Sequence, residues 1–403
     1  MKLSRIILLL SAVFASKLKY QPKGPFHEEC QAGSYPTKRV LSKPNTAKIN
    51  LDLPPIERWI ELSRSYSNQL KATINNVIEL ADKIDSRIVP FVQEKLPKLA
   101  ETLPQDYVDE MKSISSGSGL DFGDIVLFNV FYEAFSACTS IVAKDGKGGV
   151  IHARNMDFGL FLGFDFKNMT WSLTEALRPS LINIDFVRDG QTQFTSASFI
   201  GYVGIFTAVR QKKFSLTINE RFDVDGGWVG IIEWLLGKHS AHWLGFLTRD
   251  VFEKCDNFKC AQDYLMQAEM TLVSPVYFVL ASGEDPIGQI IVRDREDVSE
   301  VVTIGQEEDK SKSGSWFVLQ TNYDPSNEPP FFDDRRHPGL KCMSELSSNA
   351  ASGDNFISKE GLFDVLSTKP NLNMLTVYTS LIDIKAGIIE TFVRECPFPC
   401  TPW

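Results

Sequence analysis

Cys138, Arg154 and Asp157 are the residues of this sequence with the most direct route to chemistry. Cys138 opens the segment CTSIVAK, and Arg154 and Asp157 follow in HARNMDFG. Between them Asp145-Gly146 and Gly148-Gly149 read as a hairpin turn, which brings the far end of the second strand back beside Cys138. If the peptide bond before Cys138 is cut, the new chain starts with a thiol and an α-amine on one residue. With ordinary pKa values of about 8.5 and about 7.7, nucleophile and base are then neighbours by construction. A guanidinium nearby lowers the thiol pKa, while a carboxylate orients and charges the amine. The residues alone also allow a plainer reading, an ordinary Arg154–Asp157 ion pair beside a buried thiol.

The elements that must position these groups start with a secretory signal. Lys2 and Arg5 precede an apolar run from Ile6 to Ala15 that closes on Val13-Phe14-Ala15, with Ser16 after it. The run is too short to span a bilayer, which takes about 20 apolar residues. Cleavage after Ala15 predicts a soluble protein in a lumen or outside the cell. There an odd set of seven cysteines leaves at least one out of the disulfides. Cys396 and Cys400 flank Pro-Phe-Pro as a terminal staple, Cys255 and Cys260 bracket another short stretch, and Cys30 and Cys342 remain as a long-range pair. Other pairings of these six stay open; in this scheme Cys138 is the cysteine left over.

A net charge of -9 and a pI of 5.3 exclude nucleic acid as a partner, since no basic stripe faces phosphates. Near pH 5 part of that charge titrates away, which lessens repulsion from an anionic membrane surface. From Pro54 to about Leu103 apolar residues recur at spacings of three and four, predicting amphipathic helix. Ser115 to Gly119 reads as a break, and an apolar helix from Asp121 runs almost to Cys138. Beyond Cys138 come β-branched and aromatic strands, then helices from Gly227 to about Met270, then strands again. Strands, helices and strands in that order predict sheets packed between helical layers.

Smaller features admit two readings each. Leu160, Phe161, Leu162 and Phe164 form either a lipid-facing rim or ordinary core. Asn168-Met169-Thr170 is an N-x-S/T site for a surface glycan. His27, His152, His239, His242 and His337 show no metal-ligand spacing. No metal or other cofactor is expected.

Several segments together resemble the acid ceramidase family of N-terminal-nucleophile hydrolases. They are CTSIVAK…IHARNMDFGLFLG, NER at Asn219 to Arg221, QTNYD at Gln320 to Asp324, DDRR at Asp333 to Arg336, DVLSTKPNLNMLTVYTSLID and the closing CPFPCTPW. The likeness covers nearly the whole chain after the signal peptide and is looser before Asp121. It implies an α+β fold, the αββα sandwich of that superfamily with a helical N-terminal subunit. It also implies three segments: 1–15 signal peptide, 16–137 helical alpha subunit and 138–403 catalytic beta subunit.

By the resemblance Cys138 is the nucleophile, freed by autocleavage between Ala137 and Cys138, and Arg154 and Asp157 position its thiol and amine. Asn322 lends a side-chain amide to the oxyanion, Arg335 is a second active-site arginine, and Glu220 is a polar residue near the site. Ala137 departs from the larger aliphatic residue expected before the cysteine, although attack is on the carbonyl rather than the side chain. The implied activity is lysosomal hydrolysis of ceramide to sphingosine and a fatty acid. Implied partners are N-acyl lipids, a transiently met membrane surface, a saposin-type activator, and the two subunits of one precursor. N-acylethanolamine acid amidase shares CTSIV, the Arg and Asp pattern and TNYD, and is the rival within the enzyme class. A catalytically silent lipid-binding relative is the rival outside it.

Overall fold

The computed structural model describes residues 27–36, 42–84, 88–131, 136–159, 163–165, 167–168, 170–222, 227–349, 351 and 353–400. The signal peptide, Leu160, Phe161 and Leu162 lie outside them. Among the described residues the N-terminal part gives strand β1 (Asn45–Asn50) and helices α1 (Ile60–Ser65), α2 (Ser67–Ile84), α3 (Ile88–Ala100), α4 (Gln105–Ser118) and α5 (Phe122–Phe131). Strands β2 (Ser136–Lys144), β3 (Val150–Phe158), β4 (Phe164–Asp165) and β5 (Thr170–Trp171) follow, then α6 (Ser172–Leu177). Next come β6 (Leu181–Arg188), β7 (Gln191–Phe199), β8 (Thr207–Arg210) and β9 (Phe214–Glu220), then α7 (Gly227–Leu235), α8 (Leu244–Lys254) and α9 (Phe258–Leu265). The chain continues through β10 (Val276–Ser282), β11 (Gly288–Arg293), β12 (Val298–Thr303), β13 (Phe317–Gln320), α10 (Arg336–Glu345), β14 (Ser348–Asn349), β15 (Asn355–Phe356), α11 (Lys359–Ser367), β16 (Thr376–Asp383) and β17 (Ile388–Val393).

An eight-stranded sheet runs β1-β6-β7-β8-β9-β10-β11-β12, and a five-stranded sheet runs β13-β2-β3-β16-β17. Strands β9, β10 and β11 are buried at every position, as strands covered on both faces must be. Period-two alternation sorts β2 between two cores: Cys138 and Val142 belong to the inner one, Ile141 and Ala143 to the outer. The inner core joins the two sheets, with Met156 and Tyr378 among the same buried residues as Ile218 and Val279. The outer core packs Phe317, Leu319 and Leu381 with Met343 of α10 and with Leu362, Phe363 and Leu366 of α11. Beyond the larger sheet lie α8, α9 and the N-terminal helices, where Tyr107 of α4 stacks on Phe246 of α8 at 4.9 Å. This is the αββα sandwich the sequence implies. No helix of the described residues is long and apolar enough to cross a membrane.

Two local expectations differ from what is found. The long helical stretch after Pro54 breaks at Tyr66, whose backbone leaves the helical region (φ -113°, ψ 22°) between α1 and α2. The break read at Ser115 to Gly119 is instead the end of α4, which continues to Ser118 and stops where Gly119 takes φ 70° as a left-handed cap. Gly117 serves close packing inside that helix, since a Cβ there would collide with the Ile60 carbonyl. The three disulfides are Cys30–Cys342, Cys255–Cys260 and Cys396–Cys400, which leaves Cys138 as the buried free thiol.

Candidate active site

The hairpin through Asp145 sets the register on which the site depends. The Asp145 carboxylate accepts the backbone N–H groups of Lys147 and Gly149, and Gly146 and Gly148 take the positive φ values such a turn needs. Antiparallel pairing from that turn puts Lys144 opposite Val150, Ser140 opposite Arg154, Cys138 opposite Met156 and Ala137 opposite Asp157. Strand β2 runs through Ala137 and Cys138.

Arg154 lies an even number of residues from Met156, hence on the inner face with the thiol. Its Nη2 donates to Cys138 Sγ at 2.5 Å, and its Nη1 to the Phe206 carbonyl at 2.9 Å and Thr207 Oγ1 at 2.8 Å. Thr207 in turn bonds the Tyr378 hydroxyl at 2.9 Å, so both sheets hold the guanidinium against sulfur. Asp157 is an odd number of residues on, and its carboxylate meets other partners. It accepts from Thr376 Oγ1 at 2.7 Å, Asn373 Nδ2 at 3.1 Å and Arg335 Nη1 at 3.2 Å.

Arg335 stands at the start of α10 and joins the separate parts. Its Nη1 donates to the Cys138 carbonyl at 2.9 Å, and its Nη2 to Asn322 Oδ1 at 2.7 Å. Asn322, just past β13, accepts the Cys138 N–H on that same oxygen at 2.8 Å and donates Nδ2 to the Glu220 carbonyl at 2.7 Å. A peptide N–H and a guanidinium only donate, so the amide is fixed with its oxygen toward Cys138. In the intact chain the oxygen of Asn322, rather than its nitrogen, faces the Cys138 backbone. The link between Glu220 and the site runs through its carbonyl.

Cys138, Arg154, Asp157 and Asn322 are fully buried, Arg335 and Ala137 nearly so, and Glu220 is 9% exposed. Burial pushes the Cys138 thiol up, against the pull of Arg154 and Arg335, and Asp157 adds to the rise. Burial also pushes Asp157 up, to about 6, although Arg335, Thr376 and Asn373 oppose it. Burial works against the Arg335 charge, but Asp333 and Asp157 outweigh it and hold the guanidinium above its ordinary value. Burial thus outweighs the two arginines, and the thiol is sealed from solvent with its pKa held up.

The other expected residues are distributed as follows. Asn168 is exposed, in keeping with a glycan site. Phe164 packs edge-on against Trp171 at 5.0 Å, half-buried rather than in the deep core. His152, on the same strand face as Arg154, bonds Ser215 Oγ at 2.8 Å and Thr217 Oγ1 at 3.0 Å instead of entering the site. No group of three or more potential metal ligands occurs among the described residues. Sequence reasoning missed Thr207, Tyr378, Asn373, Thr376 and Asp333. Asp333 was within reach of it, two residues before Arg335 in DDRR; Thr207 carries no local signal at all.

A family model described as linear amide C–N hydrolases, choloylglycine hydrolase family, matches residues 138–324, so the match begins at Cys138. One described as the beta subunit of N-acylethanolamine-hydrolyzing acid amidase matches residues 42–103. The chain is 43% identical to acid ceramidase of Pan troglodytes over 99% of both proteins. It is 42% identical to that of Homo sapiens over 99% of this chain and 98% of the relative. Among solved structures, the Caenorhabditis elegans ortholog of N-acylethanolamine-hydrolyzing acid amidase is similar with a TM-score of 0.51 and 27% identity, over 64% of this chain and all of that one. With such identity along the full length of its relatives, the chain belongs to the acid ceramidase family of N-terminal-nucleophile hydrolases.

Proposed function

We propose that this protein hydrolyses the amide bond of ceramide to sphingosine and a fatty acid, with Cys138 as an N-terminal nucleophile freed by cleavage of its own Ala137–Cys138 bond. The observation that carries this is the pair of contacts on one residue: Arg154 on the Cys138 sulfur and Asn322 on its nitrogen. In maturation the thiolate attacks the Ala137 carbonyl carbon and the C–N bond breaks. Ala137 is then held as a thioester, and Cys138 keeps a free amine. Water hydrolyses the thioester, leaving a carboxylate on Ala137 and restoring the thiol.

Turnover repeats the same steps on the lipid. The sulfur attacks the amide carbon, the oxyanion collapses, and sphingosine departs with a proton supplied by the α-ammonium. Water then releases the fatty acid from the thioester. In this reading Arg154 holds the thiolate, Arg335 and Asp157 frame the new amine, and Glu220 fixes Asn322. Once the chain is cut, the Asn322 side-chain amide donates to the oxyanion of the substrate, a contribution of about 3 kcal/mol for a donor of that kind. The segments are 16–137 and 138–403, in an acidic lysosomal lumen, with Asn168 glycosylated.

Ceramide lies in membranes, and exposed apolar side chains favour transient contact with a lipid surface: Val229, Ile232 and Leu236 at α7, and Phe331 and Phe332 ahead of Arg335. A saposin-type activator is proposed from the family resemblance.

The test is incubation of purified protein at acidic pH, followed by N-terminal sequencing and parallel assays with ceramide and an N-acylethanolamine. The expected result is a Cys138 terminus and faster ceramide hydrolysis, both abolished in Cys138→Ala. Cleavage of the Ala variant at this bond removes autocatalysis, and preference for the ethanolamide assigns the chain to the rival substrate.

A further inference from the structure

Asp333 belongs to DDRR, yet the roles assigned above leave it without one. We infer that Asp333 is a positioning residue for the reaction. By occupying the Nε–Nη2 edge of Arg335 it turns the other end of that guanidinium onto the Cys138 carbonyl and Asp157, and it tempers the positive charge these groups feel. The inference rests on the reading of Cys138 as nucleophile.

The geometry is a two-pronged pairing. Asp333 Oδ1 accepts from Arg335 Nε at 2.8 Å and Oδ2 from Nη2 at 3.1 Å. A planar guanidinium gripped on that edge has a fixed orientation, which is why the fork suits recognition better than a point charge. Nη1 then points at the Cys138 carbonyl and Asp157, and the remaining reach of Nη2 at Asn322. Asp333 is 4% exposed, so water does little to weaken the pairing.

Charge leads the same way. The groups facing Arg335 are Asp333 from its own loop, Asp157 from β3, Cys138 from β2, and Asn322 and Tyr323 from beyond β13. Facing Asp157 are Arg335, Asp333, Asn373 and Thr376. Facing the thiol are Arg154, Arg335 and Asp157. The carboxylate of Asp333 is one cause of the high pKa of Asp157. Without its charge, Arg335 acts at full strength on Asp157 and on the thiol, and both ionise at lower pH. A group that only packed the loop would leave that pH range where it is.

The experiment uses matured, cleaved enzyme carrying Asp333→Asn or Asp333→Glu. Two profiles are recorded from pH 3.5 to 7.5: kcat/KM for ceramide, and the rate at which methyl methanethiolsulfonate modifies Cys138. For Asn the expected result is a fall in kcat of about tenfold with KM nearly unchanged, and a shift of both profiles by about one pH unit to lower pH. For Glu, which keeps the charge but displaces the fork, kcat falls while the profiles stay in place. Profiles that coincide with the parent for both variants, whatever happens to kcat, overturn the inference. Where the Asn variant stays uncleaved, the pH dependence of self-cleavage in its folded precursor, induced over hours, replaces the turnover profile and must shift the same way. Cys138→Ala separates the two failures: if that protein still turns over ceramide, the nucleophile is misassigned, and an unmoved Asp333 profile beside an inert Cys138→Ala counts against Asp333 alone.

Discussion

At the scale of single residues, Arg154 and Asp157 were legible as cross-strand neighbours of Cys138 and Ala137 because a tight turn and a strand register follow from sequence. Which atom of Asn322 meets the cysteine was not, because it depends on Arg335 at the start of α10 and on Glu220 at the end of β9, both distant in sequence from Cys138. The two roles proposed for that amide can be separated. Asn322→Ala is expected to slow both self-cleavage and turnover, turnover by about two to three orders of magnitude in kcat. Asn322→Asp keeps an oxygen for the Cys138 nitrogen but loses the donor, so it should self-cleave faster than Ala and turn over no better. Equal maturation rates for the two variants, measured on gels, would dismiss the acceptor role.

Two buried groups also tie stability to pH with opposite signs. Burial holds His152 down to about 3, with Arg154 adding to the effect. Its contribution is therefore complete above about pH 6.5 and is lost as pH falls toward 3, on the order of 2 kcal/mol by pH 5. Asp157, pushed up to about 6, stabilises below its unfolded value near 3.8 and loses that contribution as pH rises through 6. His152→Gln should lower the thermal midpoint at pH 7 and flatten its decline between pH 7 and pH 5. Melting curves that stay parallel to the parent across that range would contradict the assignment.

At the scale of elements, the quoted motifs resolve into a clamp. Arg221 Nε and Nη2 meet the Asp324 carboxylate at 2.6 and 2.7 Å, Tyr277 adds a bond to it at 2.7 Å, and the Phe222 N–H reaches the Asn322 carbonyl at 2.9 Å. Arg336 donates to the carbonyls of Tyr323, Asp324, Pro325 and Asn327. These contacts pin the end of β9 to the end of β13, which is where Glu220 and Asn322 touch. Sequence displayed NER and NYD as text but not as neighbours, since a separation of about a hundred residues carries no periodicity that could join them. Asp324→Asn should lower kcat about tenfold with KM little changed, and adding it to Asn322→Ala should cost little more. Full additivity in that double-mutant cycle would mean the clamp acts elsewhere.

At the scale of the whole molecule, the layer order was readable because strands and helices differ in period, and the buried run of β10 is strongly apolar. The participation of β1 was not readable: Asn45–Asn50 is mostly exposed and polar, and it finds its place only by parallel pairing with β6. If the Ala137–Cys138 bond is cut as proposed, that strand matters, because the helical part then has two kinds of tie to the rest. One is covalent, Cys30–Cys342. The other is the packed face, including β1 on β6 and a buried cluster. In that cluster Glu110 of α4 takes Arg58 at 2.8 Å, Trp59 Nε1 at 2.7 Å and Arg249 of α8 at 3.2 Å. Denaturing gels should therefore show one band without reductant and two with it. Under native conditions, by contrast, reduction should leave a single particle on a sizing column, held by the packed face alone. Glu110→Ala is the change that should break this behaviour, since it strips Arg249 and Arg58 of a fully buried carboxylate at a cost of about 3 kcal/mol. Matured Glu110→Ala protein, once reduced, is expected to separate into fragments at a temperature where the reduced parent stays whole. If the parent itself comes apart on mild reduction, the disulfide alone joins the subunits and the packed face has been overrated.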